Sequence, residues 1–213
     1  MVRKVLESIP YEVLQKDLEM YREHAIALGA TDAKIITADM VIIDERVRAK
    51  CMVPLCNSYG ACASCPPHAM DIDTTRKLVN RFQYAIFMKL EVPSEQVAGL
   101  EAETKKLTAP SRNKMNKLVT QIESKAFSDG YYLAVGFTVG ACKSAYCPEI
   151  ECSALVSGQG CSHPLKARSS MEAVGMDAFK MSAKVGWDVY PIGRTTSPSD
   201  VPAGLRLGLV LID

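Results

Sequence analysis

Tyr131-Tyr-Leu-Ala-Val-Gly-Phe-Thr138-Val-Gly140-Ala-Cys142-Lys-Ser-Ala-Tyr-Cys147-Pro-Glu-Ile-Glu-Cys152 is the stretch from which the architecture can be read. Its first eight residues are rich in aromatic and β-branched side chains, which predicts a strand over 131–138. The strand runs into a loop whose four cysteines, Cys142, Cys147, Cys152 and Cys161, are separated by four, four and eight residues. An earlier set, Cys51, Cys56, Cys62 and Cys65, ends in Cys65-Pro66-Pro67 and also follows a β-branched segment, residues 33–43. The two sets contain all eight cysteines of the chain. Scattered core cysteines would not leave the rest of the sequence empty of thiols, so two tetrathiolate sites are expected, each on a loop that starts where a strand stops. If those two strands are parallel, both sites lie at the same edge of the sheet, where α/β proteins place ligands.

Outward from the cysteines, helices and strands alternate. Residues 11–28 read as an amphipathic helix, with Val13, Leu14, Leu18, Tyr21, Ala25 and Leu28 at three- and four-residue steps and Gly29 to end it. His24 on this helix reads as a packed or surface residue. Residues 33–43 form one strand, or two pieces bent near Asp39. Residues 71–82 give a short helix and residues 84–92 a strand closed by Pro93. A helical region over 94–128 is split at Pro110, and its Lys105, Lys106, Arg112, Lys114 and Lys117 read as a solvated face. Ser169-Ser170-Met171-Glu172 has capping-box form and predicts a helix to Val185, with strands over 187–192 and 205–212 to follow. The pattern predicts an α/β or α+β sandwich with a mixed sheet. A single domain over 1–213 is expected, with residues 1–32 as an N-terminal helical segment. Gly136, Gly140 and Gly158 to Gly160 are spaced as turn glycines, not as a nucleotide fingerprint.

The 213 residues can bury a substantial core, and 25 basic against 24 acidic side chains leave a net charge of +1. That balance argues against a nucleic-acid or membrane-surface protein. Charge precedes any apolar stretch of signal-peptide length, and no run has the roughly 18 apolar residues of a membrane span. A cytoplasmic protein is expected, and in a reducing compartment eight clustered thiols point to metal rather than disulfides.

Four thiolates suit a tetrahedral zinc or an iron–sulfur cluster. The second set lacks the tight two-residue knuckle of structural zinc sites, and Cys65 and Cys147 each precede proline, as the last cysteine of bacterial ferredoxin runs does. The spacing therefore predicts two [4Fe–4S] clusters in a redox role, exchanging electrons with a partner protein or small molecule. Zinc stapling an interaction module is the alternative. Arg46, Arg48 and Lys50 before the first loop, and Lys143, Lys166 and Arg168 around the second, would balance an anionic cluster. The positive end of the helix opened at Ser169 would do the same. With four cysteines in each set, His163 reads as a donor to a ligand rather than a ligand, and His68 has weaker support for either role.

Cys51-Met-Val-Pro-Leu-Cys56-Asn-Ser-Tyr59-Gly60, closing in Cys65-Pro66-Pro67, resembles the first motif of a cysteine-rich family of metal-binding proteins of unknown function, frequent in anaerobic microbes. Glu123, Ala126-Phe127, Asp129-Gly130-Tyr131, Cys161-Ser-His-Pro164 and Ser170-Met171-Glu172-Ala173 are similar too. The resemblance runs from about residue 33 to the C-terminus and implies metal binding, with iron–sulfur the expected form. The family's first motif carries three cysteines, matching Cys51, Cys56 and Cys65, so Cys62 is additional here. The second loop is wider than the family's compact form. If Cys62 ligates, both clusters are capped and electron transfer is the natural role. If it does not, one iron is open, and an enzyme acting on a small substrate through that Lewis acid is the alternative.

Overall fold

A computed structural model describes residues 2–156 and 159–213, so Gly158, one of the turn glycines, lies outside it. The fold is α+β. Four strands, β1 (Asp32–Thr37), β2 (Tyr84–Val92), β3 (Val135–Phe137) and β4 (Gly204–Leu211), form one open sheet in the order β1-β2-β4-β3. The seven helices among the described residues are α1 (Tyr11–Ala27), α2 (Glu45–Ala49), α3 (Ile72–Val79), α4 (Gly99–Thr104), α5 (Ala109–Ser128), α6 (Cys142–Tyr146) and α7 (Ala178–Lys184).

β2 and β4 are central and covered on both faces, so they carry apolar residues at nearly every position. Ile86, Met88, Leu90 and Val210 face α1 and α5, where Leu14, Leu18, Tyr21, Met115, Leu118 and Ile122 complete one core. Phe87, Leu207, Leu209 and Leu211 face Met171, Val174, Met176, Met181 and Trp187 in a second. Glycine lets α5 approach the sheet: a Cβ on Gly208 would stand 2.5 Å from Val119 Cγ2 and 2.7 Å from Met115 Sδ.

The sheet is antiparallel throughout rather than mixed. The connection between β1 and β2 is an excursion that returns to its starting point: Thr37 pairs with Tyr84, and Ala38 donates from its N–H to the Gln83 carbonyl at 2.8 Å. Alternating helices and strands suggested crossovers, but a returning excursion with the same alternation reverses the strand. Among the described residues the parallel pairing is an isolated bridge, Thr138 to Ser170.

Three local expectations are corrected. The first cysteine loop follows α2, not a strand, because β1 ends at Thr37 in a turn of 3-10 helix over Ala38–Met40. The capping-box helix does not form from Ser169. Ser170 Oγ accepts from Ala173 N–H at 3.2 Å and supports only a 3-10 turn, Glu172–Val174. Gly175, at φ 86°, then breaks the chain in a left-handed conformation, and α7 starts later on an Asp177 cap. The segment after Trp187 is not a strand: the indole packs on Phe87 with centroids 4.8 Å apart and donates to Asp32 Oδ2 at 2.7 Å.

Candidate metal centre

Since β1 and β3 run in opposite directions, their C-terminal ends point to opposite ends of the sheet. The parallel-strand premise for a shared edge therefore fails. The loops meet by another route. Residues 38–50 are carried along the second face of the sheet, where Ile43 bridges to Met176 and Asp44 N–H donates to the Gly175 carbonyl at 2.9 Å. This brings the first loop against the second.

The contact is made by sulfur. Cys62 and Cys65 are buried with Ala141, and Cys142 and Cys152 pack on that group. Ser64, between the two first-loop cysteines, donates its hydroxyl to Cys142 Sγ at 2.9 Å and lies 3.4 Å from Cys62 Sγ. The thiols of Cys142 and Cys65 and the Lys143 backbone N–H also hydrogen-bond to Cys62. These donors hold the Cys62 thiol well below the usual cysteine range, against the effect of burial. The Cys142 and Cys65 thiols are correspondingly raised, first by the bond each makes to Cys62 and then by burial. Burial, with Cys56 and Glu172 nearby, also raises Cys51.

All eight thiols are free, and Cys56 is the exposed one. A cavity of about 20 Å³ is lined by Cys142, Cys147, Cys152 and Cys161, and by Cys62 from the other loop. Among the described residues, no three His, Cys, Asp or Glu side chains stand close enough to hold one ion as placed. The donor chemistry fits a thiolate-bound metal. The space fits one water-sized sphere, so a larger inorganic group requires the loops to part around it.

The flanking residues hold the loops more than they face a charge. His163 donates from its backbone N–H to Cys161 Sγ at 3.3 Å, and its ring packs on Tyr146 with centroids 5.7 Å apart. Arg168 pairs with Glu123 Oε2 and donates to the Pro164 and Ala167 carbonyls at 2.9 and 2.8 Å, tying the end of the second loop to α5. Glu123 Oε1 in turn accepts from Gly136 N–H at 3.1 Å. Lys143 Nζ is turned to the Ile150 carbonyl. Arg48 closes the first loop on the Met70, Pro67 and Ala69 carbonyls, and Arg46 pairs with Asp44. Lys50, Lys166 and His68 are exposed. Because no helix opens at Ser169, its dipole does not act on the second loop.

Two residues escaped the sequence reading. Ser64 links the loops, and its position between Cys62 and Cys65 was the available signal. Glu172, read as a cap, has its carboxyl raised by burial and lies within electrostatic reach of Cys51 and Arg206. No residue-level pattern announced that placement.

Among the described residues, no helix is long and apolar enough to cross a membrane. No curated protein and no solved structure matches the chain. One family model does, over residues 34–212, which include both cysteine loops and all four strands but β1's first two residues. The chain belongs to the family described as predicted metal-binding protein, DUF2284.

Proposed function

We propose that this protein is a cytoplasmic iron–sulfur protein that carries two [4Fe–4S] clusters and passes electrons to and from a redox partner. Cys51, Cys56, Cys62 and Cys65 would hold one cluster, and Cys142, Cys147, Cys152 and Cys161 the other. The observation that carries the reading is the junction of Cys62, Ser64 and Cys142, which sets two cysteine-rich loops from distant parts of the chain side by side. Centres held on touching loops are suited to exchanging electrons with each other as well as with a partner. Bound there, clusters supply one-electron chemistry. The chain supplies the thiolates, the Ser64 hydroxyl and the His163 N–H as donors to sulfur, which help set the potential.

A second reading is favoured by where Cys62 points. It lines the second loop's cavity and bonds to Cys142, which leaves Cys51, Cys56 and Cys65 as a three-thiol site with an open iron for a small substrate. A Cys62→Ser variant separates the two: loss of the first cluster supports the capped pair, and its retention supports the open site.

Anaerobic purification tests the proposal itself. Brown protein with iron and acid-labile sulfide, and absorbance that bleaches on reduction, is the expected result. Colourless protein with stoichiometric zinc would overturn it in favour of a zinc-stapled interaction module, a reading the small thiol-lined cavity also accommodates.

A further inference from the structure

A second and far larger cavity, of about 680 Å³, opens between the two cysteine loops. The first loop contributes Asn57 and Ser58, and the second contributes Lys143 and Ser144. None of the eight cysteines lines it. The remaining wall is cationic. Lys106, Arg112 and Arg194 join Lys143 there, and among the described residues Glu149 is the carboxylate on the lining. Lys106 and Arg112 belong to the basic run that reads, in sequence, as a solvated face. Lys106 is exposed, but Arg112 is not: it is half-buried in the first turn of α5, its stem against Gly140.

Arg112 is the informative residue. Its Nε is buried with no hydrogen-bond partner. Arg206, close enough to repel it, has a buried Nη2 in the same condition. Burial also depresses the Arg112 guanidinium. Buried donors are nearly always satisfied, so an unpartnered Nε beside an open cavity points to a missing acceptor. Thr108 and Ala109 also line the cavity, so the positive end of the 20-residue α5 faces the same space. The volume lies within the range of small-molecule sites.

We propose that this cavity binds a small anionic molecule through a phosphate or carboxylate group held by Arg112, with Lys106 beside it. The site does not depend on which metal the cysteines bind. Because seven of its lining residues, Asn57, Ser58 and Ala61 on one cysteine loop and Lys143, Ser144, Pro148 and Glu149 on the other, sit on those loops, occupancy is coupled to their state.

Isothermal titration of the metal-loaded protein with inorganic phosphate, pyrophosphate and citrate tests this, with sodium chloride at matched ionic strength as the control. At least one of the three should bind saturably, and the phosphate and citrate arms identify which anion chemistry is preferred. Arg112→Gln should weaken that binding about ten- to a hundredfold, the worth of a charge-assisted hydrogen bond, with metal content unchanged. Lys106→Ala, at an exposed position, should weaken it severalfold without affecting folding. The proposal is overturned if none of the anions binds above the chloride control. It is also overturned if Arg112→Gln and Lys106→Ala both bind as tightly as the parent, or if binding is lost only in variants that have lost their metal. Replacement of iron by zinc would leave it standing, so its failure is distinct from that of the redox reading.

Discussion

The two cysteine loops present the same number of thiols and are built in opposite ways. The first supports itself. Cys56 N–H donates to the Cys51 carbonyl at 2.9 Å, Gly60 N–H to Pro66 at 2.7 Å and Ala69 N–H to Cys65 at 2.9 Å, while Arg48 closes the exit. Cys62 and Cys65 are buried, at 0% and 8% exposure. The second loop leaves all four thiols half-exposed; Ser153 ties it internally to Gly160 and Ser162, and its end is braced from outside by Arg168 on Glu123 of α5. A loop whose thiols already pack keeps its shape without metal. One whose thiols are half-exposed around a narrow cavity depends more on what they bind and on the brace behind it.

Metal removal should separate the loops most sharply. In the chelated protein, trypsin is expected to cut at Lys143, Lys166 or Arg168 at least about tenfold faster than in the loaded protein, while cleavage at Lys50 changes little. Equal acceleration at both loops, read by mass spectrometry, would abolish the contrast.

The brace comes next. Glu123→Ala strands the largely buried Arg168 and the Gly136 N–H, and should cost about 3–5 kcal/mol in urea denaturation. It should also deplete the second centre although no ligand is touched. Loss of metal from the first loop as well would show that the loops are not separately supported.

A remote control sharpens the comparison. Asp17 lies in the α1–α5 core, accepting from Arg3 and, at 2.9 Å, from Tyr131 Oη. Burial raises its carboxyl, but those hydrogen bonds outweigh burial and leave it below the ordinary value of 3.8. A depressed carboxyl contributes stability that is complete above the unfolded value and lost as the pH falls through the folded one. Asp17→Asn should therefore cost about 1–3 kcal/mol at neutral pH and flatten the stability loss below about pH 4, with both centres loaded. An unchanged acid limb would remove Asp17 as its source.

The smallest effect is expected at Cys56, the exposed thiol. Cys56→Ser should change the stability of the metal-free chain by less than about 0.5 kcal/mol, against a clearly larger loss for Cys65→Ser at its buried position. Comparable losses would mean that burial does not distinguish the first loop's thiols.

Much of the scaffold was legible because burial on one face leaves a period. The stripe Leu14, Leu18, Tyr21 and Ala25 placed α1, the run ending at Pro93 placed β2, and Pro110 signalled two helices, although the break falls just before it, at 105–108, and Pro110 itself sits in the first turn of α5. Failures occurred where a local signal had a rival. Ser169 and Glu172 match a capping box, but Gly175 breaks the helix one turn later. Trp187 to Ile192 has strand composition, but its indole is taken up by Phe87 and Asp32, and no strand lies there. The cysteine sets were visible because thiols are rare and were grouped. Ser64 and Arg112 were not, since neither residue type in a loop or a basic run marks itself.

By itself, then, the amino-acid order determined which residues face a core and which two segments concentrate thiols. Both are properties of neighbours along the chain, written in periodicity and spacing. Strand direction, the meeting of Cys62 with Cys142, and the enclosure of Arg112 were decided only by the tertiary structure. Each depends on where a long excursion re-enters the sheet, and segments some eighty residues apart acquire a mutual position only when both are packed on the same core.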